Sequence, residues 1–157
     1  MRLELNRQSE YAIRALVLLA VERSRLMSGR EIAARTEVPA RFLARVLGQL
    51  SAADIVEARI GRTGGYRLRR LPARLSILEV VETVEGPARS TRCVLRQQRC
   101  DPDAPCAIHP IWSSAQDGVI ETLGETTLAA LVERERAIDP ASPRALVKER
   151  TVTCAAT

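Results

Sequence analysis

Residues 39–68 read PARFLARVLGQLSAADIVEARIGRTGGYRL, and this stretch decides the fold. Apolar side chains spaced by three and four residues, beginning at Phe42, predict a helix from about Pro39 to Ala53. The run from Ile55 to Ile60 and the segment 66–68 predict two short strands joined by a turn rich in glycine and arginine. A helix followed by a small hairpin is typical of winged-helix proteins.

Two further helical patterns precede this stretch. Ser9 stands at the start of an apolar repeat that ends near Glu22, and we expect it to accept hydrogen bonds from the first free amides of that helix. Ser28 followed by Glu31 is the pattern of a capping box, which predicts a short second helix. The second and third helices therefore predict a helix-turn-helix unit, in which the third helix enters the major groove of DNA.

The predicted third helix has a solvent face on which small residues alternate with arginine and glutamine. Small side chains would let the helix approach base edges, while arginine and glutamine would supply hydrogen-bond donors. At the hairpin tip, arginine would follow a phosphate backbone or a minor groove, although an ordinary solvated helix face and a plain loop are the alternatives. The candidate DNA-contacting residues are Ala40, Arg41, Ala44, Arg45, Gln49, Arg59, Arg62 and Thr63.

Charge is unevenly distributed along the 157 residues, which include 24 Lys plus Arg and 19 Asp plus Glu for a formal net charge of +5. Residues 1–75 hold 15 Arg and 7 acidic residues, a net charge of +8, whereas residues 76–157 hold 9 basic and 12 acidic residues, a net charge of −3. The first half is therefore the candidate half for binding a polyanion.

The second half predicts three more helices. Ser76 and Glu79 form another capping box, and the helix that follows stops at Gly86. A longer helix begins near Pro110, and residues 126–132 predict a shorter closing helix. The same face of the longer helix carries Ile111, Ala115, Val119 and Thr122. A long helix on a small domain usually buries such a stripe against a second copy, so we expect a homodimer.

The predicted fold class is mainly α with a small β wing: a winged helix-turn-helix domain plus a long dimerisation helix. The predicted boundaries are 1–86 for the DNA-binding domain, 87–109 for a cysteine-rich loop, 110–137 for the dimerisation and closing helices, and 138–157 for a flexible tail. The longest apolar stretch, Ala15 to Val21, is too short for a bilayer span, and no signal-peptide pattern opens the chain. We expect a cytoplasmic protein with no membrane partner.

Three of the four cysteines and the single histidine lie within residues 93–109, which read CVLRQQRCDPDAPCAIH. Six, five and two residues separate Cys93, Cys100, Cys106 and His109. In a cytoplasmic chain such a cluster favours a metal site over a disulfide framework. Because the spacing matches neither zinc knuckles nor ferredoxins, it names no metal, and three reduced thiols are the alternative.

Together these segments resemble the Rrf-two family of winged-helix iron-sulfur transcriptional regulators, of the IscR and NsrR type. The resemblance covers residues 1 to about 133. It rests on the three-cysteine loop and on short motifs that include YAIRAL at 11–16, GGYRL at 64–68 and TLAALV at 127–132.

The resemblance implies that Cys93, Cys100 and Cys106 ligate an iron-sulfur cluster, either [2Fe-2S] or [4Fe-4S]. For the fourth ligand, His109 fits the IscR pattern, whereas Glu10 of the partner subunit fits NsrR-like proteins. Six residues rather than the family's five separate the first two cysteines here, so the cluster type and the fourth ligand stay open.

The resemblance further implies a dimeric regulator, a repressor by family default, that binds a double-stranded DNA operator. The cluster would control this binding by sensing redox, nitric oxide or iron status. The alternative is a zinc-stabilised or clusterless thiol-based winged-helix regulator, and an electron-transfer protein ranks last. We expect neither an enzyme nor a small-molecule substrate, because no Ser-His-Asp set, phosphate-binding glycine loop or second cluster motif is present.

Overall fold

The computed structural model describes residues 5–89, 95 and 106–138. In these ranges the helices and strands are α1 Arg7–Val21, α2 Gly29–Thr36, α3 Ala40–Ala52, β1 Val56–Arg59, β2 Gly65–Leu68, α4 Ile77–Glu85, α5 Ile108–Glu125 and α6 Leu128–Ile138. The expected mainly α fold with a small β wing is confirmed. Cys93, Cys100 and residues 139–157, which include almost all of the expected tail, lie outside the described residues.

The N-terminal cap of α1 differs from the expected one. The side-chain oxygen of Asn6 accepts hydrogen bonds from the backbone N–H groups of Gln8, at 2.7 Å, and Ser9, at 3.2 Å. The expectation that Ser9 caps the helix was therefore wrong, since Ser9 is buried within the first turn and its hydroxyl donates to the carboxylate of Glu85. Asparagine and serine are equally favoured caps, so the local pattern did not separate them.

The helix-turn-helix forms as expected. The Ser28 side chain accepts from the backbone N–H of Glu31 at 3.1 Å, and α3 follows Pro39. Between the two helices Glu37 adopts a left-handed conformation with φ 58°, which reverses the chain direction. This conformation costs an L residue roughly 1–2 kcal/mol, and the burial of Val38 immediately after it helps to offset the cost.

The hydrophobic core lies between α1, α3, α4 and α6. The central helix is α1, whose residues from Ala12 to Leu19 are almost all buried. From the other end of the described chain, Leu128 and Val132 of α6 enter the same core, and α6 packs against α1. The helix-turn-helix and the C-terminal helix therefore fold as one unit.

The wing is fixed at its base. β1 and β2 pair antiparallel, and Tyr66 exchanges backbone hydrogen bonds of 2.8 and 2.9 Å with Met27. A Cβ atom on Gly65 would lie 2.6 Å from the carbonyl oxygen of Met27, and one on Gly64 would lie 2.2 Å from that of Arg59. Both positions therefore require glycine, and the turn between the strands projects from this base into solvent.

The junction between α5 and α6 is hydrogen-bonded to the start of α4. The backbone N–H of Ile77 donates to the carbonyl of Thr126, and that of Leu128 donates to the carbonyl of Leu75, each at 2.8 Å. These two hydrogen bonds hold the C-terminal end of α5 against the core. None of the described helices is long and apolar enough to cross a membrane.

Candidate DNA interface and metal centre

The solvent face of α3 presents arginine among small residues, as the sequence predicts. Ala40, Arg41, Ala44 and Arg45 are all exposed. Several arginines of the fold are paired with carboxylates, whereas Arg41 and Arg45, like Arg62, form no ion pair with any described residue. Their guanidinium groups are therefore free to meet phosphates or base edges.

Gln49 is less accessible than the two arginines. It is only partly exposed, and its side-chain Oε1 is buried with no hydrogen-bond partner in the described part of the chain. Because an acceptor buried in this way cannot face a base edge without a change of rotamer, Arg41 and Arg45 are the stronger candidates on this face.

Phe42 was expected in the apolar stripe of α3, but 41% of it is exposed. The remaining expected stripe residues, Leu43, Val46, Leu47 and Leu50, are buried. Successive residues lie about 100° apart around a helix, so Phe42 is turned away from the buried direction of Leu43 and lies at the edge of the core. There its ring centroid is 6.1 Å from that of Tyr11 and 4.5 Å from the Cζ atom of Arg41.

The wing carries an ion-paired triad that the sequence analysis missed. Glu57 lies between two guanidinium groups, 2.7 Å from Arg59 and 2.6 Å from Arg67. The hydrogen bonds from Arg59 and Arg67 hold the pKa of Glu57 below its ordinary value. The available signal was the hairpin register, which places Glu57 directly opposite Arg67. Arg62 and Thr63 are exposed at the tip, and Arg62 forms no ion pair with the described residues.

Cys106 and His109 are joined by a backbone hydrogen bond at the start of α5. Cys106 is exposed, and its carbonyl accepts from the backbone N–H of His109 at 3.0 Å, so both side chains belong to one helical turn. The Nε2 atom of His109 is 3.4 Å from the Ser113 hydroxyl. Thiolate and imidazole are both ligands of protein-bound iron, so these two donors are chemically compatible with the cluster that the family resemblance implies. Within the described ranges no group of three His, Cys, Asp or Glu residues suits a metal ion.

Glu10 lies in the first turn of α1, where 45% of its side chain is exposed. Its carboxylate is 2.6 Å from the guanidinium of Arg14, which also donates to the carbonyl of Thr36 at 3.3 Å. Glu10 is thus accessible but ion-paired, and ligation of a metal by its carboxylate would compete with Arg14.

The sequence profile of the Rrf2 family, described as iron-dependent transcriptional regulators, matches residues 5–134. This chain belongs to the Rrf2 family. A relative from Aquifex aeolicus, classed as an HTH-type transcriptional regulator, is 31% identical over 127 residues, which are 80% of this chain and 88% of the relative. The HTH-type transcriptional regulator NsrR of Geobacillus kaustophilus is 29% identical over 150 residues, 94% of this chain and 99% of the relative.

A solved structure shows the same fold. It is CymR (YrzC), described as the global cysteine regulator of B. subtilis, with a TM-score of 0.73 and 23% identity over 85% of this chain and 98% of the other. Family membership and fold together identify a DNA-binding transcriptional regulator. The prediction that the protein is not an enzyme is thereby confirmed.

Proposed function

We propose that this Rrf2 protein is a homodimeric repressor whose binding to operator DNA is controlled by an iron-sulfur cluster. The observation that carries the proposal is the exposed face of α3, on which Arg41 and Arg45 have no carboxylate partner among the described residues. With the opposite face of α3 buried, these two side chains would enter a major groove. The proposed location is the cytoplasm, where operator DNA is found.

The dimer is supported by the surface of α5. No residue of this helix is buried in the single chain, and Ile111 and Val119, on its predicted apolar face, are 66% and 45% exposed. A second copy would cover this stripe and relate two α3 helices by a twofold axis. The operator would then be an approximate palindrome whose half-sites lie about 34 Å apart or a multiple of that distance.

The proposed ligands are Cys93, Cys100, Cys106 and His109, with Glu10 of the partner subunit as the alternative fourth ligand. When bound, the cluster supplies iron and sulfide that react with oxidants or nitric oxide. The contact of the His109 Nε2 atom with Ser113 would orient the imidazole and leave its Nδ1 atom for iron. Cys106 lies two residues before Ile108, the first residue of α5, so a change in its bonding would act on the helix that we propose as the dimer interface.

The DNA part of the proposal is tested on a short duplex that the wild-type protein selects from a randomised pool. Arg41→Ala or Arg45→Ala should weaken binding by about 1–3 kcal/mol and relax the preference at one base pair. Arg62→Ala should weaken binding evenly across sequences. Arg134→Ala, an exposed site on α6, is the control and should bind as wild type. If all four variants bound the duplex as tightly as the wild type, this interface would be contradicted.

The cluster is tested by purification without oxygen. The wild type should be brown and contain iron and acid-labile sulfide, and Cys93→Ser, Cys100→Ser or Cys106→Ser should remove the colour. The control is Cys154→Ser, which lies outside the three-cysteine segment and should stay brown. Stoichiometric zinc without visible absorbance would favour the zinc-stabilised regulator instead, and a metal-free protein would favour the thiol-based one.

The fourth ligand requires a separate comparison. His109→Ala should change the visible spectrum, because His109 shares a helical turn with Cys106. Glu10→Ala should leave the spectrum nearly intact. The opposite pair of results would make the site intersubunit and assign the ligand to Glu10 of the partner subunit.

A further inference from the structure

We propose that Phe42 is a positioning residue that holds the guanidinium group of Arg41 in the orientation needed to read one base pair. The inference rests on the proposed DNA-binding function and deepens it. It adds to the arginine-bearing face of α3 an aromatic side chain that the sequence pattern assigns to the core. The expected target of Arg41 is a guanine, because a guanidinium group matches the two acceptors on its major-groove edge.

The contact itself is the first observation. The Cζ atom of Arg41 lies 4.5 Å from the centre of the Phe42 ring, within the range of a cation–π interaction. Arg41 forms no ion pair with a described carboxylate, and its guanidinium group contacts the Phe42 ring instead.

The ring in turn lies close to a second aromatic side chain. Tyr11 of α1 lies with its ring centroid 6.1 Å from that of Phe42, at an interplanar angle of 42°. Tyr11 is followed along α1 by Ala12, which is fully buried in the core. Because α1 is anchored in this way, Tyr11 limits the rotation of Phe42, and Phe42 limits that of Arg41.

A cation–π contact of this kind leaves Arg41 able to bind DNA. The N–H groups of a guanidinium lie in its own plane, so they remain free when its flat face covers an aromatic ring. An arginine already held in the binding orientation loses less conformational freedom when it forms its hydrogen bonds. Exposed cation–π contacts correspond to about a two- to five-fold change in an equilibrium constant, which sets the expected size of the effect.

The test compares Phe42→Leu with Phe42→Tyr. Leucine keeps an apolar contact with Tyr11 but removes the π system, whereas tyrosine retains the ring. On the duplex selected by the wild type, Phe42→Leu should bind about two- to five-fold more weakly and lose discrimination at the base pair that Arg41→Ala also relaxes. Phe42→Tyr should retain both properties, and all three proteins should bind a scrambled duplex equally.

A second measurement needs no DNA. Ring currents should shift the Arg41 side-chain protons upfield in the NMR spectra of the wild type and of Phe42→Tyr, and this shift should disappear in Phe42→Met or Phe42→Leu. Unshifted protons in the wild type would overturn the inference even if the leucine variant failed to fold.

The outcomes separate the two proposals. If the wild type selects a duplex and Phe42→Leu discriminates like the wild type at the position read by Arg41, the inference is wrong while the proposed function stands. If the wild type selects no sequence at all, the proposed function is overturned, and the inference with it.

Discussion

The hydroxyl of Ser9 donates a hydrogen bond to the carboxylate of Glu85, which joins the first turn of α1 to the last residue of α4. The same carboxylate accepts from the backbone N–H of Asn6 at 3.0 Å. Ser9 is fully buried, and the Glu85 carboxylate is the partner that its hydroxyl contacts. One carboxylate thus secures the start of the central helix.

We predict that Glu85→Ala lowers the free energy of unfolding by about 1–3 kcal/mol, because it removes the hydrogen bonds that the charged carboxylate accepts from Ser9 and Asn6. Ser9→Ala should cost less, about 1 kcal/mol, since the partly hydrated carboxylate can bind water instead. The double variant should be little less stable than Glu85→Ala alone. Urea denaturation measures all three, and strictly additive losses would show that the two side chains do not interact.

The connection between α1 and α2 predicts a dependence of stability on pH. Glu22 lies 2.9 Å from Arg35, and Glu31 lies 2.6 Å from Arg25. The hydrogen bond from Arg35, with a smaller contribution from Arg25, lowers the pKa of Glu22, and the hydrogen bond from Arg25 lowers the pKa of Glu31. Both carboxyl groups therefore bind protons less readily in the folded than in the unfolded chain.

The stability that these groups supply is complete above the ordinary pKa of glutamate, and it should decline as the pH falls from about 5 through the lowered folded values. Glu31→Gln should make this decline shallower in urea denaturation at a series of pH values. Glu133→Gln, at an exposed site of α6, is the matched control and should reproduce the wild-type curve. Parallel curves for wild type and Glu31→Gln would contradict the prediction.

Gly48 offers a way to separate stability from DNA binding. It lies inside α3 on the exposed face, and a Cβ atom added there would have no neighbour within 4 Å. Gly48→Ala should therefore stabilise the fold by about 1 kcal/mol, since glycine is the poorer helix former. If the helix approaches base edges closely at this point, affinity for the selected duplex should fall at the same time.

Thermal denaturation and DNA titration of the same Gly48→Ala preparation measure both effects. Ala44→Gly, one turn earlier on the same face, is the reciprocal control and should lower stability by a similar amount. Unchanged DNA affinity in Gly48→Ala would place the bases farther from α3 than we propose.

The wing triad predicts a gain of affinity. Glu57→Gln removes the carboxylate that pairs with Arg59 and Arg67, so both guanidinium groups become available to phosphates. Binding to selected and scrambled duplexes should strengthen alike. The slope of log K against log salt concentration should become steeper by about 0.9 for each of the two arginines that gains a phosphate contact. Titrations at several salt concentrations test this. An unchanged salt dependence would show that the wing does not contact the backbone.

The dimer prediction uses the exposed stripe of α5. Ile111→Glu should convert the protein to a monomer, because it would bury a charge in the proposed interface. It should leave the fold intact, since Ile111 is exposed in the single chain. Sedimentation equilibrium measures the mass. Ile60→Glu, a fully exposed isoleucine on the wing, is the control and should remain a dimer. A dimeric Ile111→Glu would exclude this face.

Local patterns were sufficient for part of the fold. Ser28 and Ser76 cap their helices as predicted, because each cap involves a backbone amide three residues away. Whether Asn6 or Ser9 caps α1 could not be predicted in this way. The answer depends on Glu85, which is 76 residues from Ser9 along the chain. No local pattern contains that information.

The candidate DNA interface was likewise predictable only in part. Helical periodicity placed Arg41 and Arg45 on the exposed face correctly. It did not predict that the Gln49 oxygen is buried or that Arg59 is paired with Glu57, because both depend on how neighbouring elements pack. Periodicity gives the direction of a side chain, whereas its availability to DNA is decided by tertiary contacts.

The packing of α6 on α1 bears on the order of events during translation. Leu128 and Val132 complete the core, so the core behind α3 is unfinished until residues 128–132 have been synthesised and have left the ribosome. By then the segment that contains Cys93, Cys100 and Cys106 has already been synthesised. A nascent chain is therefore expected to complete the core behind α3 only after it carries all three thiols. We therefore expect a chain truncated ahead of α6 to be less stable than the full chain and to bind DNA more weakly.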